Sequence, residues 1–166
     1  MRTLSPEEQT EIERRRASFG RFFAELMPVL TDFMERLEVP NAHMVVAEPD
    51  RFVLPVDAFM KEQLVESQDQ AWILTRLGYL IGEYLVQKFG GCWYVNDIPD
   101  SRFFARYVVG RFARIKNQNV CVDPMAVADE YLSEPPGRSL VATLKKAEDE
   151  IAAFCCRSEP SFNASE

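Results

Sequence analysis

The stretch from Trp72 to Leu85 constrains the fold more than any other part of the chain. Trp72, Leu77, Ile81, Tyr84 and Leu85 share one side of a helix, and Ile73, Leu74 and Leu80 add apolar surface elsewhere. A helix that is apolar nearly all round must be covered by its neighbours, so it forms the buried centre of the fold. Gly78 and Gly82 stand one turn apart and leave a groove where another backbone can approach. In membranes that spacing marks helix pairs; here a neighbouring element of the same chain is the expected occupant. Ser67 with Gln70 gives a capping-box pattern at the start. Gly90-Gly91 ends the helix near Phe89, because glycine tolerates the left-handed cap conformation.

A helical segment precedes this one. Ser5, Pro6 and Glu8 form a capping box with proline at the first helical position. The helix is mostly charged up to Arg16, which predicts a projecting or surface segment. Phe19, Phe22, Leu26, Leu30, Phe33 and Leu37 then recur at spacings of three or four. Pro28 lies inside that stripe, and a kink or break is expected there. Pro40, Pro49 and Pro55 punctuate residues 39–56, which read as loop, and a helix is expected over residues 57–66.

After Gly91 the pattern changes to sheet. Cys92-Trp93-Tyr94-Val95 reads as a strand, and residues 103–109 as a second strand rich in β-branched and aromatic side chains. Gly110 marks a bulge or turn, leaving open whether residues 111–115 continue that strand. Val120-Cys121-Val122 is a short third strand. Connections this short predict an antiparallel meander. Asp123 and Pro124 open a short helix that stops before Pro135-Pro136-Gly137. Ser139 caps a last helix striped by Leu140, Leu144, Ala147 and Ile151. Residues 155–166 read as a short polar tail. The fold class is therefore α+β, with N-terminal helices, a small antiparallel three-stranded sheet and two C-terminal helices packed on it. Residues 1–154 form one domain.

Composition narrows the functional classes. In a chain of 166 residues, 47% apolar content is enough for a core that needs neither metal nor disulfides. The formal charge of −7 argues against non-specific binding to nucleic acid or to a membrane. The first residues are polar and acidic, and no apolar run approaches the ~18 residues of a membrane span. A cytoplasmic location without a secretory leader is the expectation. Cys92, Cys121, Cys155 and Cys156 contain no CxxC pair, and adjacent Cys155 and Cys156 are poorly placed to bridge each other. All four read as free thiols, with Cys92 and Cys121 buried.

Chemistry-bearing constellations are scarce. His43 is the one histidine, so any Ser-His-Asp or Cys-His arrangement would depend on it, and it reads as a structural or surface residue. No metal site, cofactor site or catalytic residue is expected, since the cysteine spacing does not help a zinc site and no phosphate-cradling glycine motif is present. Asp97, Asp100 and Asp123 read as turn and cap residues. The exception is residues 101–122, which hold no acid but five bases: Arg102, Arg106, Arg111, Arg114 and Lys116. If residues 102–114 alternate as one ribbon, Arg102, Phe104, Arg106, Phe112 and Arg114 share a face for a ligand or partner. Such a face suits an acidic protein group, a small ligand or single-stranded nucleic acid. Acid from the same chain or a second copy is the favoured cover, with Glu7, Glu8, Glu11 and Glu13 of the first helix as candidates.

The segments Leu77-Gly78-Tyr79-Leu80-Ile81-Gly82-Glu83-Tyr84-Leu85, Phe89-Gly90-Gly91-Cys92-Trp93, Val120-Cys121-Val122-Asp123-Pro124 and Ser139-Leu140 resemble a group of uncharacterised bacterial proteins. The resemblance covers about residues 70 to 150. It implies a helix, sheet, helix order and a bacterial cytosolic setting, and it brings no catalytic residues with it. The resulting expectation is a non-catalytic protein–protein interaction or accessory module, with a protein partner or a homodimer. Binding of a small ligand or single-stranded nucleic acid at the Arg/Phe face is the alternative.

Overall fold

The computed structural model describes residues 2–156. Helix α1 (Pro6–Arg36) opens on the expected capping box: the Ser5 hydroxyl accepts the Glu8 amide at 3.2 Å, and the Glu8 carboxylate accepts the Ser5 amide at 2.8 Å. The helix runs without a break through Pro28. Proline removes one bond to the Ala24 carbonyl, but Leu26, Leu30, Phe33 and Met34 are all buried from the same helix, and that burial outweighs the loss. The charged first half does not project. Ile12 is fully buried against Val95 and Ala105, Arg16 pairs with Asp97 at 2.6 Å, and Arg2 reaches Asp100 at 2.9 Å. One apolar side chain among the charges is enough to lay this half along residues 95–105.

Residues 39–56 hold more structure than the prolines imply. Ala42–Met44 form a 3-10 turn, and helix α2 (Asp50–Met60) starts well before residue 57 and carries Pro55 inside it. Phe52, Val53, Val56 and Met60 are buried at helical spacing, so core packing sets this helix despite the proline. Helix α3 (Ser67–Phe89) is the buried centre. Glu66, not Ser67, stands at its N-cap and makes no side-chain cap bond, while Gly90 closes it at φ 65° as expected. The Gly78–Gly82 groove is filled by side chains. A Cβ on Gly78 would lie 2.1 Å from Met125 Sδ, and one on Gly82 would lie 1.9 Å from the Trp93 ring.

The sheet is the expected meander, in the order β1 (Cys92–Val95), β2 (Tyr107–Gly110), β3 (Cys121–Val122), with both pairs antiparallel. Trp93 stands opposite Val109, and Gly110 opposite Cys121. The second strand is shorter than residues 103–109. Positive φ at Ala105 and Arg111 turns the chain at both ends, so residues 102–114 do not form one ribbon. Helix α4 (Pro124–Ser133) lies along α3, and α5 (Leu140–Cys156) packs on α2 and α4. Asp123 caps α4 and Ser139 caps α5, as the sequence predicts. Asp57 of α2 accepts the Leu140 amide at 2.6 Å, which ties α2 to the start of α5. The chain is thus an α+β fold. Residues 157–166, most of the expected tail, lie outside the described residues. No helix among the described residues is long and apolar enough to cross a membrane.

Candidate functional site

The five residues expected on one Arg/Phe face separate in the fold. Phe112 is buried in the core, edge-on to Phe89 at 5.8 Å. Phe104 is half-buried and packs on the small cluster around Ile12. Arg106 pairs with Asp123, Nε to Oδ2 at 2.9 Å, and the same buried Asp123 accepts the Met125 and Ala126 amides through Oδ1. Arg102 lies over the Phe103 ring at 4.4 Å and Arg111 over the Tyr94 ring at 4.3 Å. Arg114 is exposed. The acid that meets Arg106 comes from the β3–α4 junction and not from α1. There, Glu8 pairs with Arg2, and Glu11 with Arg14 and Arg15. Arg102 and Phe103 do border a hollow of about 250 Å³ with Cys121 and Glu150, so it carries both charge signs.

Other candidate groups stand apart. His43 is exposed in the 3-10 turn. Cys92 is exposed and Cys121 half-exposed, and both are free, contrary to the expected burial. The strand alternation explains this: Trp93 and Val95 face inward, so Cys92 faces outward. Among the described residues no group of three or more His, Cys, Asp or Glu is placed to hold a metal ion.

The larger feature lies at the other end of α3. The end of α1, the end of α2, the 61–66 connection and the first turns of α3 enclose a groove of about 550 Å³. Phe33, Phe59, Met60, Leu64, Val65 and Trp72 supply its apolar wall. Phe59 is 46% exposed, Leu64 80% and Trp72 40%. Three large apolar side chains around one concavity differ from the scattered apolar residues of an ordinary surface. The Trp72 ring is held in place. Arg76 stacks on it at 3.6 Å, Phe33 meets it edge-on at 5.8 Å, and Arg36, paired with Asp32, lies 5.8 Å from its centre. Burial pushes the Arg76 guanidinium below its ordinary range, although it stays a cation.

Sequence periodicity places Trp72 on the buried side of α3 and carries no sign of this groove. The one available signal is Leu64-Val65, an apolar pair between Gln63 and Glu66 in a connection with no periodic element of its own. The chain matches no family model, and neither a curated protein nor a solved structure is significantly similar to it.

Proposed function

We propose that this chain is a non-catalytic protein-binding or accessory module, acting in a bacterial cytosol, and that the groove around Trp72 receives an apolar ridge of a partner protein. The exposure of Phe59, Leu64 and Trp72 around one concavity carries the reading. Tryptophan and other aromatic residues anchor interfaces because they bury much area while losing few rotamers. Trp72 already has its ring fixed by Arg76 and Phe33, so little order is lost on binding. The occupant that fits best is an amphipathic helix, whose apolar side chains at i, i+3 and i+4 enter a groove between helices. Arg36 on α1 and Asp69 on α3 border the groove and offer both charge signs to its polar flank. The unbridged Cys92 and Cys121 fit a reducing compartment.

The test compares wild type with Leu64→Glu as bait in affinity capture from a bacterial lysate, followed by binding of the purified partner. Leu64 is exposed, so the variant keeps its fold. A partner held by wild type and weakened about tenfold or more by Leu64→Glu supports the reading. Equal binding by both baits, or capture of a nucleotide or oligonucleotide in place of protein, overturns it.

A further inference from the structure

Among the described residues four polar or charged side chains are buried: Glu83, Asn96, Asp123 and Arg138. Three have several hydrogen bonds each. Asn96 donates to Ser101 Oγ and accepts the Ile98 amide. Asp123 has Arg106 and two amides, and Arg138 donates to the carbonyls of Met60, Gln63 and Glu134. Glu83 differs. It is 6% exposed, and Oε1 accepts one hydrogen bond, from Trp93 Nε1 at 2.8 Å. Among the described residues Oε2 accepts none, and no Lys or Arg reaches ion-pair distance. A buried carboxylate with one neutral donor is costly to hold. Accordingly, burial raises the Glu83 carboxyl above its ordinary range, and the Trp93 hydrogen bond opposes this only in part.

Glu83 is one of the residues lining a cavity of about 210 Å³, together with Phe19, Phe23, Val86 and Trp93. We propose that this cavity binds a small organic ammonium ion, with Glu83 as its counter-ion and Phe19, Phe23 and Trp93 as its aromatic wall. The chemistry selects this class. Aromatic rings attract an alkylated cation, and the carboxylate supplies the charge that the cavity lacks. A calcium or magnesium ion needs more oxygen ligands than one carboxylate among apolar side chains. An anion meets the wrong charge, and a neutral hydrocarbon leaves Glu83 uncompensated. The volume lies below the ~300 Å³ at which drug-sized pockets begin, so the ligand is small. The site shares no lining residue with the groove around Trp72 and does not depend on the protein-binding reading.

The Trp93 indole N–H resonance reports the site, and the Trp72 indole, outside it, serves as internal control. The full chain is titrated with tetramethylammonium chloride and with n-butylammonium chloride, against sodium chloride at equal ionic strength. A saturable shift of the Trp93 signal with either ammonium, absent with sodium, is expected. Response to the first alone identifies a quaternary ligand, and to the second alone a primary amine such as a lysine side chain also carries. Glu83→Gln keeps an acceptor for the indole and should weaken binding about tenfold or more. Phe23→Ala removes a half-exposed ring without opening the core, so it tests the site even if Glu83→Gln fails to fold; it should weaken binding several-fold. No saturable shift with either ion, or unchanged affinity in a folded Glu83→Gln or Phe23→Ala variant, overturns the proposal.

Discussion

Trp93 joins three elements through one side chain. Its indole donates to Glu83 of α3, its ring lies against Gly82, and Phe22 of α1 meets it edge-on at 5.3 Å. Trp93→Ala should destabilise the protein by about 3–5 kcal/mol in a denaturant titration. Gly82→Ala should cost about 1–3 kcal/mol, because its Cβ would fall inside the Trp93 ring. In the Trp93→Ala background the same substitution should cost much less, and a double-mutant cycle would show that coupling. Independent, additive losses would count against the close approach. Glu83 adds a pH dependence. An unfolded glutamate titrates near about 4.3, and burial raises the folded value above that. Between the two values the folded state binds more protons, so stability falls as pH rises through that window. Denaturation midpoints of wild type should therefore decline as pH rises above about 4, relative to Glu83→Gln. Parallel curves would show that the Glu83 carboxyl titrates normally.

At the level of elements, junctions matter more than the elements themselves. Asp123 follows β3 and opens α4, and it holds Arg106, the residue before β2. Its two oxygens are divided between the jobs: Oδ1 caps the helix and Oδ2 takes the guanidinium. Asp123→Ala should lose about 1–2 kcal/mol, the usual range for a helix cap. Asp123→Asn keeps an oxygen for the cap and should lose less. Equal losses, by urea titration, would assign the stability to the ion pair instead. Arg138 works similarly at the opposite end, where it donates to carbonyls at the end of α2 and in the 61–66 connection. That clasp steadies the segment from which Leu64 projects.

Across the whole molecule, the basic stretch is dispersed and not presented as one face: Arg106 pairs with Asp123, Arg102 and Arg111 lie over the Phe103 and Tyr94 rings, and Arg114 is exposed. The formal charge is −7, and Arg2, Arg16 and Arg106 each pair with an acid distant in sequence. Phe112, one of the two aromatic side chains that would stack a base beside the arginines, is in the core. Mixed-sequence single-stranded DNA and RNA should therefore show no binding at micromolar protein in moderate salt. Salt-sensitive binding that is lost in a folded Arg106→Glu, Arg114→Glu variant would instead make nucleic acid the leading function.

Features that depend on a few neighbouring residues were legible without the fold. The Ser5 capping box, the Gly90 stop, the Asp123 and Ser139 caps and the strand at Cys92–Val95 follow from hydrogen bonds and steric limits within about four positions. The antiparallel order followed from connection length. Tertiary structure decided the rest, because burial depends on which surfaces meet. It carried α1 through Pro28 and α2 through Pro55, laid the charged half of α1 down on Ile12, and turned the chain at Ala105 and Arg111 so that the Arg/Phe ribbon never formed. It also left Trp72 half uncovered and enclosed Glu83. A one-dimensional pattern states that a side chain is apolar or charged. Only the packed neighbours determine whether that side chain is covered, paired or left for something else to meet.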